Sequence, residues 1–185
     1  RVAAMGGLEP LPEDQWDYPK ARHLLVRAGF GGTPQEVERL RQMGLHAAVD
    51  YMVDFTRQPA ASAPLDANPA LPADSLTGKL RHGWTRHVAS QRPDSLDVGR
   101  LRRWWLERMV ESPRPLQEKL TLFWHGHFAT QQSVVANNYT IFQQNELCRE
   151  NAAGNFGALL YGMVHDPAMI RYLDNNSNIK GHANE

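Results

Sequence analysis

The stretch LTLFWHGHFAT places His125 and His127 two residues apart, beside Phe123, Trp124 and Phe128. Imidazole is the side chain whose unperturbed pKa lies nearest neutrality, and it is the commonest metal ligand. The pair could therefore chelate a divalent metal, or one ring could act as a general base. The third reading is structural, with one ring in the core bonded to the backbone and the other on a partly exposed flank. Which of these holds depends on the element. Two residues that share an ion from one helix stand three or four apart, whereas a spacing of two suits a strand.

Other residues also bear on chemistry. Asn145 falls among Ile141, Cys148 and Ala152 at helical spacing, which predicts a buried amide on an apolar face. Such an amide must find partners, so a tie between helices is the favoured role and contact with a ligand the alternative. Cys148 on that face is expected to be an inert core thiol rather than a nucleophile. Asp174, Asn175, Asn176, Ser177 and Asn178 gather oxygen donors after DPAMIRYL, a composition that suits a hard cation such as calcium. The spacing of a calcium loop is missing, however, and an Asx-rich helix exit that bonds its own backbone is the simpler reading. Lys180 and Glu185 lie in the polar tract after it. RLRRWW mixes arginine with tryptophan, but the tryptophans fit a core stripe, so a solvated helix face is favoured over nucleic-acid binding.

The elements that must position these groups read as helices. TPQEVERLRQMGL has Thr33 as N-cap, Pro34 in the first helical position, Glu36 in the first turn and Gly44 as stop. LHAAVDYMVDF comes next as its antiparallel partner, and ARHLLVRAGFGG supplies a shorter helix before it. Residues 1–20 read as an extended lead-in. TRQPAASAPLDANPALPADS, residues 56–75, holds four prolines and many alanines and reads as a linker or wrapping loop. Weak helical signal resumes through LTGKLRHGWTRHVA. It strengthens in SLDVGRLRRWWLERMVES, where Leu101, Trp105 and Met109 recur every four residues. PLQEKLTLFWHGHFA, Tyr139 to Ala152, FGALLYGMV and PAMIRYL complete the set, with Asn155 and Asp166 as caps of the last two. QSVVANNYT is the only strand candidate. The predicted fold is all-α, an irregular multi-helix bundle with long Pro/Ala-rich connections, and residues 21–185 form a single helical domain.

On a helix with about 100° per residue, Leu116, Phe123, Trp124 and His127 cluster around Leu120. His125 lies far round beside Glu118 and Leu122. His127 is thus expected on the core-facing stripe and His125 on the partly exposed flank, unless Gly126 breaks the helix and brings the rings together.

Bulk composition narrows the classes. Twenty basic and twenty acidic residues cancel, which argues against a nucleic-acid binder. The lone cysteine excludes an intrachain disulfide and a cysteine-based zinc knuckle. No apolar run approaches the roughly 20 residues of a membrane span. The chain starts without methionine and stops in NNSNIKGHANE, a polar tract, which suggests a fragment of a longer domain.

Three blocks, HLLVRAGFGGTPQEVERLRQMGLHAAVDYMVD, WWLERMVESPRPLQEKLTLFWHGHFAT and QNELCRENAAGNFGALLYGMVHDPAMIRYLDNNSNIKGHANE, occur in an order that resembles the N-terminal half of the large bacterial domain-of-unknown-function family 1800. The W-H-x-H-F and D-P-A-M-x-x-Y-L-D motifs carry the resemblance. It implies an exported protein of the periplasm or cell envelope, in which Asn184 and Glu185 open a further helical motif. It implies no reaction.

The leading expectation is an exported helical domain that contributes half of a binding or active site. That half is built from His125, His127, Asn145, Asp174, Asn176, Lys180 and Glu185, and the downstream part of the same chain is the partner that completes it. The alternatives are a cell-envelope scaffold without chemistry, or a metal-dependent hydrolase with His125, His127 and Asp174 as ligands of a divalent metal.

Overall fold

The computed structural model describes residues 9–60 and 97–182. Its all-α character agrees with the sequence: nine α-helices and no strand among the described residues, with one isolated bridge between Ile179 and His182. None of these helices is long and apolar enough to cross a membrane.

The first three helices form one packed unit. α1 (Tyr18–Arg27) begins before the predicted Ala21, because the Asp17 side chain caps the Lys20 N–H and Pro19 is accommodated in the first turn. The lead-in therefore also holds a 3-10 turn, Glu13–Gln15, rather than extended chain throughout. α2 (Pro34–Met43) starts in a full capping box. Thr33 Oγ1 accepts from Glu36 N at 3.3 Å, and Glu36 Oε2 accepts from Thr33 N at 2.6 Å. Gly44, at φ 80°, both ends α2 and opens α3 (Leu45–Val53), a left-handed turn that glycine makes without steric cost. Ala21, Leu25, Val37, Leu40, Ala48 and Met52 form the core of this unit.

The remaining helices surround α7. They are α4 (Val98–Glu111), α5 (Pro115–His127), α6 (Gln132–Val135), α7 (Asn138–Glu150), α8 (Phe156–Val164) and α9 (Pro167–Tyr172). α4, α5, α6, α8 and α9 all pack on α7. The strand candidate QSVVANNYT is corrected here. Gln132–Val135 is a single helical turn, Ala136 is left-handed at φ 52°, and Asn137 caps α7 through Thr140 N. The two valines favour extended chain, but no strand among the described residues pairs with them, and the Asn137 cap commits the next residues to helix. Gly162 allows α8 its close approach to α7, since a Cβ there would lie 2.8 Å from Leu147 Cδ1.

The two parts meet along α5. Arg114, just before α5, donates from Nε to Gln58 O at 2.8 Å, and Lys119 sits 4.9 Å over the Phe30 ring. Phe55 is buried in the 3-10 turn Phe55–Arg57, at the start of the predicted linker. The linker from residue 61 and the weak helix signal of 76–89 lie outside the described residues.

Candidate ligand-binding site

α7 is unusual for a central helix because much of what it buries is polar: Asn138, Thr140, Gln143, Gln144, Asn145 and Arg149. The polar face of α5 explains how these groups are satisfied. Glu118 and Thr121 are fully buried and His125 is half-buried. At positions i, i+3 and i+7 they share one side of the helix. Arg149 grips Glu118 with both arms, Nε to Oε1 at 2.8 Å and Nη2 to Oε2 at 3.0 Å. Arg108 on α4 adds Nε to Oε1 at 3.1 Å. Glu146 pairs with Arg149 as well. Both guanidinium groups lie over Trp104, Arg149 at 5.0 Å and Arg108 at 5.4 Å from the ring centre. The result is a buried, charge-balanced cluster between α4, α5 and α7.

This face reverses the sequence reading of the two histidines. His125 is on the inward side, its ring tilted by 51° against that of Trp105 at 5.0 Å, whereas His127 is exposed, among Phe123, Trp124 and Phe128. Phe123, expected in the core, is 57 % exposed. The apolar stripe of α5 lost the core to the glutamate stripe because α4 and α7 present arginines to it, and a carboxylate buried with two guanidinium partners is tolerated where a lone one is not. Helix α5 continues through Gly126 to His127, so the rings keep to different neighbours.

Beside the cluster lies a cavity of about 160 Å³. α4 supplies Val98, Leu101, Arg102, Trp104 and Trp105; His125, Thr130, Gln132, Ile141 and Asn145 complete the wall. The lining is mostly apolar, and three of its residues carry a buried donor without an acceptor, each of these atoms closed to solvent. Among the described residues, the buried side-chain atoms lacking a hydrogen-bond partner are Trp104 Nε1, Trp105 Nε1, Asn145 Nδ2 and Gln143 Oε1. Gln143 is not in the wall; the other three residues are. Asn145 is only 3 % exposed. Its Oδ1 accepts from Arg149 Nη2 at 2.7 Å, which fixes the amide with its NH₂ away from the guanidinium. Asn145 and Arg149 both belong to α7, so this bond is not the predicted tie between helices; the link to α5 runs through Arg149 to Glu118, and Asn145 Nδ2 has no protein partner.

A second hydrogen-bond chain reaches the wall. Thr130 Oγ1 donates to Gln144 Oε1 at 2.6 Å, and Gln144 Nε2 donates to Asp166 Oδ1 at 2.8 Å. Asp166 also caps α9 through Met169 N at 2.8 Å. Burial pushes its carboxyl up to about 6, against the lowering effect of the bonds from Met169, Gln144 and Ala168. Burial also pulls His125 below the ordinary 6.5, partly offset by a hydrogen bond to its own backbone, which favours a neutral imidazole at the wall.

The family model described as "Protein of unknown function (DUF1800)" matches residues 23–185. The chain belongs to this family. The match covers the W-H-x-H-F and D-P-A-M-x-x-Y-L-D blocks that carry the resemblance. No curated protein matches the DUF1800 chain, and no solved structure does.

Of the residues singled out from the DUF1800 sequence, His125 and Asn145 come together at the cavity. Asp174, Asn176 and Lys180 are exposed on the chain that leaves α9 and are not in the wall, and Glu185 lies outside the described residues. Asp174 is left-handed at φ 55°, and its carbonyl accepts from Ser177 N, while Asn178 Nδ2 donates to Asn175 Oδ1. This is the self-satisfied helix exit rather than a gathered oxygen cage. No group of three or more His, Cys, Asp or Glu side chains that could hold a metal ion occurs among the described residues, so His125, His127 and Asp174 are not drawn together as ligands. Sequence reasoning does not single out Glu118, Arg149, Trp105 or Asp166 as site residues. A signal for Glu118 exists, since it shares a helical face with Thr121 and His125. Arg149 leaves no local trace.

Proposed function

We propose that this DUF1800 chain is an exported ligand-binding domain whose site is the cavity between α4, α5 and α7. The observation that carries the reading is the cavity itself: about 160 Å³, mostly apolar, and walled in part by the polar side chains of His125, Thr130, Gln132 and Asn145. A mostly apolar concavity with a few fixed polar groups is the general form of a small-molecule site. Export rests on the family resemblance alone, and fractionation of the native host would test it.

Binding is tested by a ligand-observed NMR screen of monocyclic fragments against the wild type and Val98→Phe, which fills the wall at the start of α4. Fragments that bind the wild type and are lost in the variant are expected. A screen in which nothing binds the wild type would return the domain to the scaffold reading.

A further inference from the structure

Resting on that reading, we propose that the cavity takes an uncharged, apolar molecule about one ring in size, held by contact with Val98, Leu101, Trp105 and Ile141 rather than by hydrogen bonds or charge. Volume sets the size. A cavity near 150 Å³ holds a molecule such as benzene, so about 160 Å³ admits a single ring or a short branched chain.

The chemistry follows from what the polar side chains of the wall already do. Thr130 Oγ1 donates to Gln144 Oε1 at 2.6 Å, Gln132 Nε2 donates to Asn138 Oδ1 at 2.7 Å, and Asn145 Oδ1 accepts from Arg149 Nη2 at 2.7 Å. The Asn145 amide nitrogen and the indole nitrogens of Trp104 and Trp105 are closed to solvent, so none of the three meets a ligand without rearrangement. Arg149 and Arg108 lie over the Trp104 ring, and these guanidinium groups already use the attraction that the ring would offer a ligand cation. Burial holds His125 below its ordinary 6.5, which keeps the imidazole neutral near pH 7. Arg102 is exposed on α4, where water screens its charge. What these residues leave to a ligand is hydrocarbon, in keeping with the mostly apolar lining. A charged group carried in gives up its water without an answering partner among them, whereas an apolar ring gains by leaving water.

The experiment titrates toluene, benzoate and benzylammonium, similar in size and different in charge, into protein with ¹³C-labelled isoleucine and valine methyl groups. The Ile141 resonance is assigned by Ile141→Val. Toluene is expected to shift the Ile141 methyl and to bind about tenfold or more tightly than either ion. Val98→Phe, with an unchanged circular dichroism spectrum, should lose toluene binding. Benzoate or benzylammonium binding within about tenfold of toluene would overturn the apolar class while leaving a ligand site in place. Toluene that binds without moving Ile141, and equally well to Val98→Phe, would place the hydrocarbon elsewhere and overturn the proposal. Failure of all three to bind the wild type would overturn both readings.

Discussion

Arg149 on α7 and Glu118 on α5 form a two-armed ion pair that is closed to solvent, at 2.8 and 3.0 Å, with Glu118 fully buried. It links the two most extensively packed helices of the domain and orients the Asn145 amide at the cavity. The pair is therefore both a structural joint and the support of the site.

Glu118→Ala leaves Arg149 and Arg108 buried without their shared acceptor, with side chains only 5 % and 12 % exposed. Removing one partner of a buried pair costs about 3–5 kcal/mol. Urea denaturation should show a loss of that size, with Glu118→Gln milder because its oxygen still accepts one bond. A loss under about 1 kcal/mol for the alanine variant would mean that the pair behaves as an exposed one.

The two histidines should respond differently to truncation. His127→Ala removes an exposed ring and should stay within about 0.5 kcal/mol of wild type. His125→Ala loses the tilted ring contact with Trp105 and half-buried area, worth about 1–2 kcal/mol. His125 also titrates below 6.5 in the folded state because burial disfavours its cation. Its contribution to stability is therefore present above pH 6.5 and lost as pH falls through the folded pKa. NMR titration of the ring protons checks the order, and a His125 midpoint above 6.5 would contradict its burial.

What the sequence reveals about this domain is local. Thr33 with Glu36, Asn155 and Asp166 are caps that act across three residues, and each is legible from spacing. Asn145 is legible too, because a polar residue amid an apolar stripe announces a buried amide. The side of α5 that faces the core is not. Its hydrophobic stripe and its polar stripe compete, and the winner is decided by Arg149, thirty-one positions away. The Thr130–Gln144–Asp166 chain likewise spans separations of 14 and 22 residues. The short helix α6 is hidden for a related reason, since paired valines carry strand propensity until the surrounding helices deny them a partner strand.

Cys148 should be chemically silent in the folded protein. It is fully buried on α7 against Leu159 and Met163, and burial together with the negative charge of Asp166 pushes its thiol up to about 12. Thiolate is the reactive form, so at pH 8 only a very small fraction is available. A thiol-reactive chromogenic disulfide should label native protein only at the rate of opening, and labelling should become rapid in denaturant. Fast stoichiometric labelling of native protein would show the α7–α8 interface to be open.

Asp166 gives the domain an acid-stabilised element. Its carboxyl is held at about 6 against 3.8 for the unperturbed group, so between those values the folded state keeps a proton that the unfolded state has lost. The folded state binds more protons, and the stability gained is complete below pH 3.8 and lost as pH rises through about 6. A difference of that size corresponds to about 3 kcal/mol at most. Asp166→Asn preserves the geometry, because asparagine caps helices as well as aspartate does and its oxygen still accepts from Gln144. The stability of wild type minus that of Asp166→Asn should therefore fall steadily from pH 4 to pH 7, and the subtraction cancels the opposite slope that His125 contributes to both proteins. Thermal transitions measured across that range decide it. Parallel curves would place the titrating carboxyl elsewhere, and a variant that is less stable than wild type at pH 7 would mean that the ionised carboxylate is the form the fold prefers.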